Sequence, residues 1–303
     1  MTQASSVSTT PASSEAALEA IVQAAVKEIS HIATLPEVTL KIISLVEDPD
    51  STAQDLNKVI SSDPALGARI LKVVNSAFYG LPGQIGSTNR AIVLLGLNAV
   101  KNIAIAASLA KLFRGGQISE SFNARDLWTH SIAVAAGTRM LAAKVGLGLP
   151  DEAFLAGLIH DIGIIVEIQV RRLKFVEALE KKQKEPGLTL RQAEQAVLGA
   201  NHEQFGSGLC KLWKFPSNFA YVAGFHHRPL ELAPKLRTLT SLVHLADVLA
   251  AKLGLGYTGS VETLEFNPEV LKELELSQPE LDQVGNDMPT AMKEAMTMLM
   301  ENA

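Results

Sequence analysis

Asp63-Pro-Ala-Leu-Gly-Ala-Arg-Ile-Leu-Lys-Val-Val-Asn-Ser-Ala-Phe-Tyr79 is the stretch that decides the fold class. Asp63 offers a side-chain oxygen to the free amides of a first helical turn, and Pro64 sits where a missing N–H costs nothing. Apolar residues then recur with a period near 3.6, which predicts a helix from Ala65 to Asn75. The same grammar extends upstream. Pro36 opens a run through Val38, Leu40, Ile42, Ile43 and Val46, stopped by Asp48-Pro49-Asp50, and Ser51 or Thr52 caps the next helix, through Leu56 and Ile60 to Ser62. Downstream, Phe78 to Gly86 is rich in glycine and reads as a loop, followed by buried helices over Thr88–Leu95, Asn98–Phe113 and Asp126–Val145.

The pattern continues to the end of the chain: Asp151–His160, Ile164–Lys181, Thr189–Leu198, His202–Leu212, Ser217–Phe225 and Thr238–Leu253 are expected helices. The breaks are glycines and prolines rather than two-residue hairpin turns, so the expected fold class is all-α. Residues 1–15, rich in Ser, Thr and Ala, read as a disordered leader. The segment Arg114–Asn123 is the best internal boundary, giving a helical half over 16–118 and a second over 119–256. Residues 257–303 read as an acidic helical tail: between 262 and 301 there are ten acidic residues and only Lys272 and Lys293 as basic ones. Within it Met288, Met292 and Met296, with Leu299 beside them, form one stripe. Packing on the protein's own core is the preferred reading, with an adaptable partner surface as the alternative.

A chain of 303 residues with 47% hydrophobic content is long enough to bury a real core. The net charge of −5 gives no basic excess, so nucleic acid is not an expected partner. Asn89, Arg90, Asn98, Lys101, Asn102 and Lys111 interrupt the apolar runs around Ala91–Leu97 and Ile103–Leu112 before the roughly 20 residues of a membrane span. The N-terminus lacks the basic start and apolar core of a secretory signal. Cys210 is the single cysteine, which excludes an internal disulfide and a multi-cysteine zinc site and suits a reducing cytoplasm.

Six of the seven histidines fall after residue 129: His130, His160, His202, His226, His227 and His244. Asp161 follows His160 in Leu155-Ala-Gly-Leu-Ile-His-Asp-Ile-Gly163, and Asp247 is embedded in Leu242-Val-His-Leu-Ala-Asp-Val-Leu249. A carboxylate in an apolar helix needs a counter-charge or a metal. Imidazole mixed with carboxylate is the donor set of iron, manganese, zinc or nickel, whereas calcium takes oxygen. Each residue also has a plainer reading. His130 fits a hydrogen-bonded core histidine, His160 a helix C-terminus facing the last carbonyls, Asp247 an ion pair with an arginine such as Arg237, and His226-His227 a helix end. On that reading the histidines are simply buried in one packed helical unit.

Taken together, His130, His160-Asp161 and Asp247 resemble the H…HD…D signature of the HD superfamily, and His202 with His226-His227 is similar to the extra histidines of its HD-GYP branch. Leu35-Pro-Glu-Val38, Asp63–Tyr79 and Ala91-Ile-Val-Leu-Leu-Gly-Leu97 look like the N-terminal half of the HDOD family. The likeness runs from about Ile29 to Leu253. It implies an N-terminal helical subdomain packed on an HD-like one, with His130, His160, Asp161, His202, His226, His227 and Asp247 holding one or two divalent transition-metal ions, Asp161 bridging. Iron comes first among the candidates, then manganese, nickel or zinc.

Two departures bear on function. Ile164 and Ile165 stand where phosphohydrolase-like members often carry a lysine, and Arg228-Pro-Leu-Glu-Leu232 has no trace of a Gly-Tyr-Pro loop. The resemblance therefore implies a cytoplasmic, bacterial, regulatory signal-transduction module with protein partners, leaning away from catalysis. The alternative is a metal-dependent phosphohydrolase or phosphodiesterase for a nucleotide or other phosphoester. In that case Lys101, Lys211 or Arg228 would contact phosphate and His244 would orient a ligand or donate a proton.

Overall fold

The computed structural model describes residues 11–32, 35–110, 112–113 and 115–300. The fold is all-α, as expected. Five helices form the first half: α2 (Glu37–Glu47), α3 (Ala53–Ser61), α4 (Pro64–Val74), α5 (Thr88–Leu95) and α6 (Leu97–Leu109), preceded by α1 (Pro11–Ile32). The second half holds α7 (Ala124–Lys144), α8 (Pro150–Ile159), α9 (Ile162–Val170), α10 (Arg172–Lys184), α11 (Leu190–Leu198), α12 (His202–Leu212), α13 (Ser217–Phe225) and α14 (Pro234–Lys252). The shorter α15 (Pro268–Glu273) and then α16 (Gln278–Met300) follow.

Local chemistry sets the starts. The Asp63 carboxylate accepts the Leu66 amide at 2.9 Å, with Pro64 in the first turn of α4. Thr52 and Asp55 form a reciprocal capping box at α3, as do Thr189 with Gln192 at α11 and Asn201 with Gln204 at α12. The two halves meet where α6 packs on α8 and α16 touches α4. At that seam the Tyr79 hydroxyl donates to Asp151 at 2.7 Å, and the Arg139 guanidinium lies 4.2 Å from the Phe78 ring centre.

Several expectations need correction. Of the expected leader, residues 1–10 lie outside the described residues, and residues 11–15 already belong to α1. Moreover α1 packs on α9 and α12 of the second half, burying Val22, Ala25, Val26 and Ile29, which share one helical face. The expected helix Ile164–Lys181 is two helices that break at Arg171, whose side chain turns to the Val170 carbonyl and to Glu28 on α1 at 2.7 Å. The boundary segment contains an antiparallel hairpin of β1 (Gln117–Ser119) and β2 (Phe122–Asn123). The acidic tail is part of the body, because α16 lies along α7 with Leu281, Val284, Met288, Met292, Ala295 and Leu299 buried. The methionine stripe thus faces the protein's own core.

Candidate metal centre

The apolar run from Pro150 to Val170 is mostly buried and carries the centre at its corner. His160 ends α8 and Asp161 opens α9. The corner is held against α12 by Gly163, where a Cβ would fall 1.8 Å from the His202 carbonyl oxygen; only glycine permits that approach. His130 comes from α7, His202 from the first turn of α12, His226 and His227 from the end of α13, and Asp247 from the middle of α14. All seven expected residues converge on one place.

His130 Nε2 lies 2.9 Å from Asp247 Oδ1, and His160 Nε2 lies 3.2 Å from Asp161 Oδ2 and 3.8 Å from Asp247 Oδ1. Asp161 Oδ1 is 3.3 Å from His226 Nε2 and 3.7 Å from His202 Nε2. His227 Nε2 is 3.0 Å from His202 Nε2, and its Nδ1 is 3.7 Å from Asp247 Oδ2. Donors around one ion with bonds of about 2.1 Å stand about 3.0–3.5 Å apart, so the cluster has the spacing of a ligand set. A second observation agrees. His160 Nε2, Asp161 Oδ1 and His226 Nε2 are buried without a hydrogen-bond partner, which a protein tolerates at cost unless something pairs them. The donors group as Asp161, His202, His226 and His227; as His130, His160 and Asp161; and as His160, His226 and Asp247. Asp161, His160 and His226 each belong to two of these sets, but only the carboxylate offers two donor atoms, Oδ2 facing His160 and Oδ1 facing His202 and His226, which suits Asp161 to bridge two ions. The residues present fit a divalent metal.

The far nitrogens are anchored as metal-binding imidazoles need. His130 Nδ1 faces the Leu255 carbonyl at 3.2 Å, His160 Nδ1 the Gly157 carbonyl at 2.7 Å, and His226 Nδ1 the Val222 carbonyl at 3.2 Å. His160 therefore does face a last-turn carbonyl, while its other nitrogen points into the cluster. Glu194 accepts both the backbone N–H and Nδ1 of His202, at 3.0 and 2.7 Å. Burial alone would lower the His202 pKa, but Glu194, with Asp161 and Glu203, outweighs it and raises the value to about 9. His226 is raised too, against its burial, by the adjacent Asp161. Burial disfavours the Asp161 charge, yet His160, His226 and His202 hold its pKa well below the usual range. Asp247 is lowered against its burial by His130 and His160. His227, buried beside His226 and His202, is driven well below 6.5 and stays neutral.

Four residues beyond the expected set matter. Glu194 fixes His202; Glu203 accepts the His227 amide at 3.3 Å and pairs with Arg191 and Arg228 at 3.0 Å each. Glu167 is wholly buried and kept neutral by burial and by Glu194 beside it. Ser260 donates to Asp161 Oδ2 at 3.0 Å. Glu194 could have been found as an acid on the apolar face of α11, next to Ala193; nothing local to Ser260 marks it.

Of the expected phosphate contacts, Lys101 and Lys211 are placed elsewhere and Arg228, next to His227, is already paired. Buried Lys101 donates to the Leu45 carbonyl and to Ser51 Oγ, closing α2. Lys211 is exposed and lines a groove between α1 and α12–α13 with Arg228, and Arg228 is held by Glu203 and Glu231. His244 donates to or accepts from no cluster residue's side chain; its Nδ1 lies 2.8 Å from the His226 carbonyl and so braces that turn. Arg237 pairs with Glu273 at 2.6 Å, which removes it as the partner of Asp247.

Known proteins agree with this architecture. The chain superimposes on an HDOD domain protein of unknown function from Geobacter sulfurreducens with a TM-score of 0.75 and 22% identity, covering 93% of this chain and 99% of that one. A candidate phosphohydrolase from Shewanella amazonensis SB2B gives a TM-score of 0.72 and 23% identity over 94% and 98% of the two chains. A candidate signal transduction protein from Marinobacter aquaeolei VT8 gives 0.73 and 24% over 93% and 66%. An uncharacterised protein of Treponema pallidum (strain Nichols) is 24% identical over 221 residues, which is 73% of this chain but 42% of that relative. The chain thus spans less than half the length of this curated relative. The family profile of the HDOD domain matches residues 32–229, more than half of the chain, and the protein belongs to the HDOD domain family.

Proposed function

We propose that this chain is a cytoplasmic bacterial signal-transduction protein whose second half is organised around one or two divalent transition-metal ions, iron first among them, and whose helical halves bind partner proteins. The observation that carries the reading is the enclosed cluster of five imidazoles and two carboxylates with orphaned donor atoms at its centre. A metal there serves to lock α7, α8, α12, α13 and α14 together, or to sense a small ligand, and neither role needs a catalytic base. The likeness to a candidate signal transduction protein supports it. The placement of Lys101 and the salt-bridging of Arg228, away from phosphate recognition, weigh in the same direction. Elemental analysis of protein purified without a histidine tag or added metal tests it, beside a His160→Ala, Asp161→Ala variant. One or two equivalents of metal in the wild type, lost in the variant, are expected. A metal-free, well-folded wild type that takes up none on loading would defeat it.

One observation favours a second reading, a metal-dependent phosphohydrolase: the two oxygens of Asp161 face different histidines, Oδ2 towards His160 and Oδ1 towards His202 and His226. A pair of ions would activate water and polarise a phosphoryl oxygen. Here Asp161 would hold both ions and His244, through the His226 carbonyl, would keep the α13 turn in place. The likeness to a candidate phosphohydrolase points the same way. Turnover of a phosphoester by iron-, manganese- or nickel-loaded protein, abolished in the double variant, would establish it; a broad panel without turnover would end it.

A further inference from the structure

The seven cluster side chains are closed off from solvent: five are fully buried, while those of Asp247 and His227 are 1% and 3% exposed. An ion or small ligand needs an entry path, so some wall of this chamber has to move. Most walls are core helices. The exception is the segment 255–262 after α14, which contains neither helix nor strand.

This segment lies directly on the centre. The Leu255 carbonyl meets His130 Nδ1 at 3.2 Å, the Tyr257 amide donates to the Asp126 carbonyl at 2.9 Å, and Ser260 Oγ donates to Asp161 Oδ2 at 3.0 Å. Gly256, at φ +74°, passes so close to α7 that a Cβ would stand 2.4 Å from the His130 nitrogen. Two cations hold the outer side. Lys182 Nζ donates to the Gly259 carbonyl at 2.8 Å. Arg191 grips Glu262 with two hydrogen bonds, of 2.9 and 3.2 Å. The same guanidinium reaches Glu203 at 3.0 Å, which in turn accepts the His227 amide. Arg191 thus ties the segment to the α12–α13 wall of the centre.

We infer that residues 255–262 are a strap gating the metal centre, latched by Arg191–Glu262 and Lys182–Gly259. The inference rests on the metal-holding reading above and concerns its regulation. The inner contacts position the strap, while the latch is reachable from solvent: the Arg191 and Glu262 side chains are each 22% exposed. Such a pair is weakened by salt and by competing anions. Releasing it frees Ser260 from Asp161 and opens the side of the chamber nearest Asp161 and His130 without unfolding a helix. Metal exchange therefore quickens as ionic strength rises.

The experiment follows transfer of zinc or manganese from the loaded full-length protein to excess chelator, with hydrogen exchange over 255–262 in parallel. Glu262→Gln removes the latch charge but leaves Arg191 on Glu203, and Lys182→Met removes the second latch. Glu273→Gln is the control, since it breaks a comparable pair with Arg237 away from the centre. Glu262→Gln is expected to speed metal transfer about fivefold, the worth of one well-formed ion pair, at unchanged metal stoichiometry. Exchange in the strap should rise while α14 stays protected, and Glu273→Gln should match the wild type. Wild-type transfer rates and strap protection in the Glu262→Gln, Lys182→Met double variant would overturn the proposal. If no variant or wild type takes up metal, the metal-holding reading falls and hydrogen exchange alone judges the strap: protection of 255–262 unchanged in the double variant overturns it.

Discussion

Replacing Gly163 by alanine tests how the centre is built. The new methyl would stand 1.8 Å from the His202 carbonyl oxygen and 2.7 Å from the Gly206 nitrogen, where ordinary contact begins at 3.4 Å. Both obstacles are backbone atoms of α12, so no side chain is free to turn aside. Relief requires α9 and α12 to part by about 1.5 Å, several times the ~0.2 Å tolerance of metal–ligand distances. That displacement separates Asp161 from His202 and His226, which now lie 3.7 and 3.3 Å from it. Overpacking of this kind costs about 1–3 kcal/mol, and the rigid backbone on both sides places this case at the upper end. Gly67→Ala on α4 is the matched control: its nearest neighbour is the Ile60 methyl at 3.7 Å, and helix propensity favours alanine there by up to about 1 kcal/mol. Urea unfolding at fixed m-value, with metal content measured on the same samples, reads both effects. Gly163→Ala should lose about 3 kcal/mol and most of its metal, whereas Gly67→Ala should hold or gain stability and keep it. A Gly163→Ala protein with wild-type stability and full metal would refute the reasoning.

Four further outcomes are expected. Before an ion is bound, His202 is protonated below its pKa of about 9, so binding must release that proton; apparent affinity should rise about tenfold per pH unit between pH 6.5 and 8.5, and flatten above 9, in chelator competition. A flat profile would count against His202 as a ligand. The same raised pKa makes the metal-free protein most stable below pH 6.5 and progressively less so as pH rises through 9, by about 3 kcal/mol at most, so its thermal midpoint should fall over that window while the loaded protein's does not. Glu194→Gln keeps the shape beside His202 but loses the carboxylate; metal affinity should drop about 10- to 100-fold with little change in fold by circular dichroism, and an unchanged affinity would make Glu194 a bystander. At the seam, Tyr79→Phe removes the bond to Asp151 and should cost about 1 kcal/mol in urea unfolding; no loss would mean that the aromatic stack with Arg139 alone carries the contact.

The helices were legible because their signals are local. Asp63-Pro64 and Thr52 with Asp55 act within one turn, and the structure places α4 and α3 where those residues point. The break at Arg171 was not legible: no Gly or Pro marks it, and the acid that its side chain meets, Glu28, is 143 positions away on α1. For α16 the spacing of Met288, Met292 and Met296 already favoured packing on the protein's own core, and the structure buries Val284, Met288 and Leu299; for α1 no local signal says that Val22, Val26 and Ile29 pack on α9 and α12 of the second half. The hairpin at 117–123 is too short for alternation to reveal.

The centre divides along the same line. Imidazoles and carboxylates in apolar helices are chemically conspicuous wherever they stand, but it was the resemblance to the HD superfamily that gathered these seven into one set, since residue chemistry alone also allowed separately buried histidines and did not set His244 apart. What shapes their chemistry is inconspicuous in sequence. Glu194 and Glu203 look like ordinary helical acids until His202, Arg191 and Arg228 are placed against them. Ser260 sits in a stretch that looks like the start of a tail, 99 positions beyond Asp161. Its role depends on Gly256 being able to pass His130 with positive φ, and on Arg191, three turns of sequence from any donor, closing over Glu262. A donor set is therefore a property of residue types, but access to it is a property of the chain that crosses it last. In this protein that chain, like the donor Asp247, lies beyond the residues 32–229 that match the family profile.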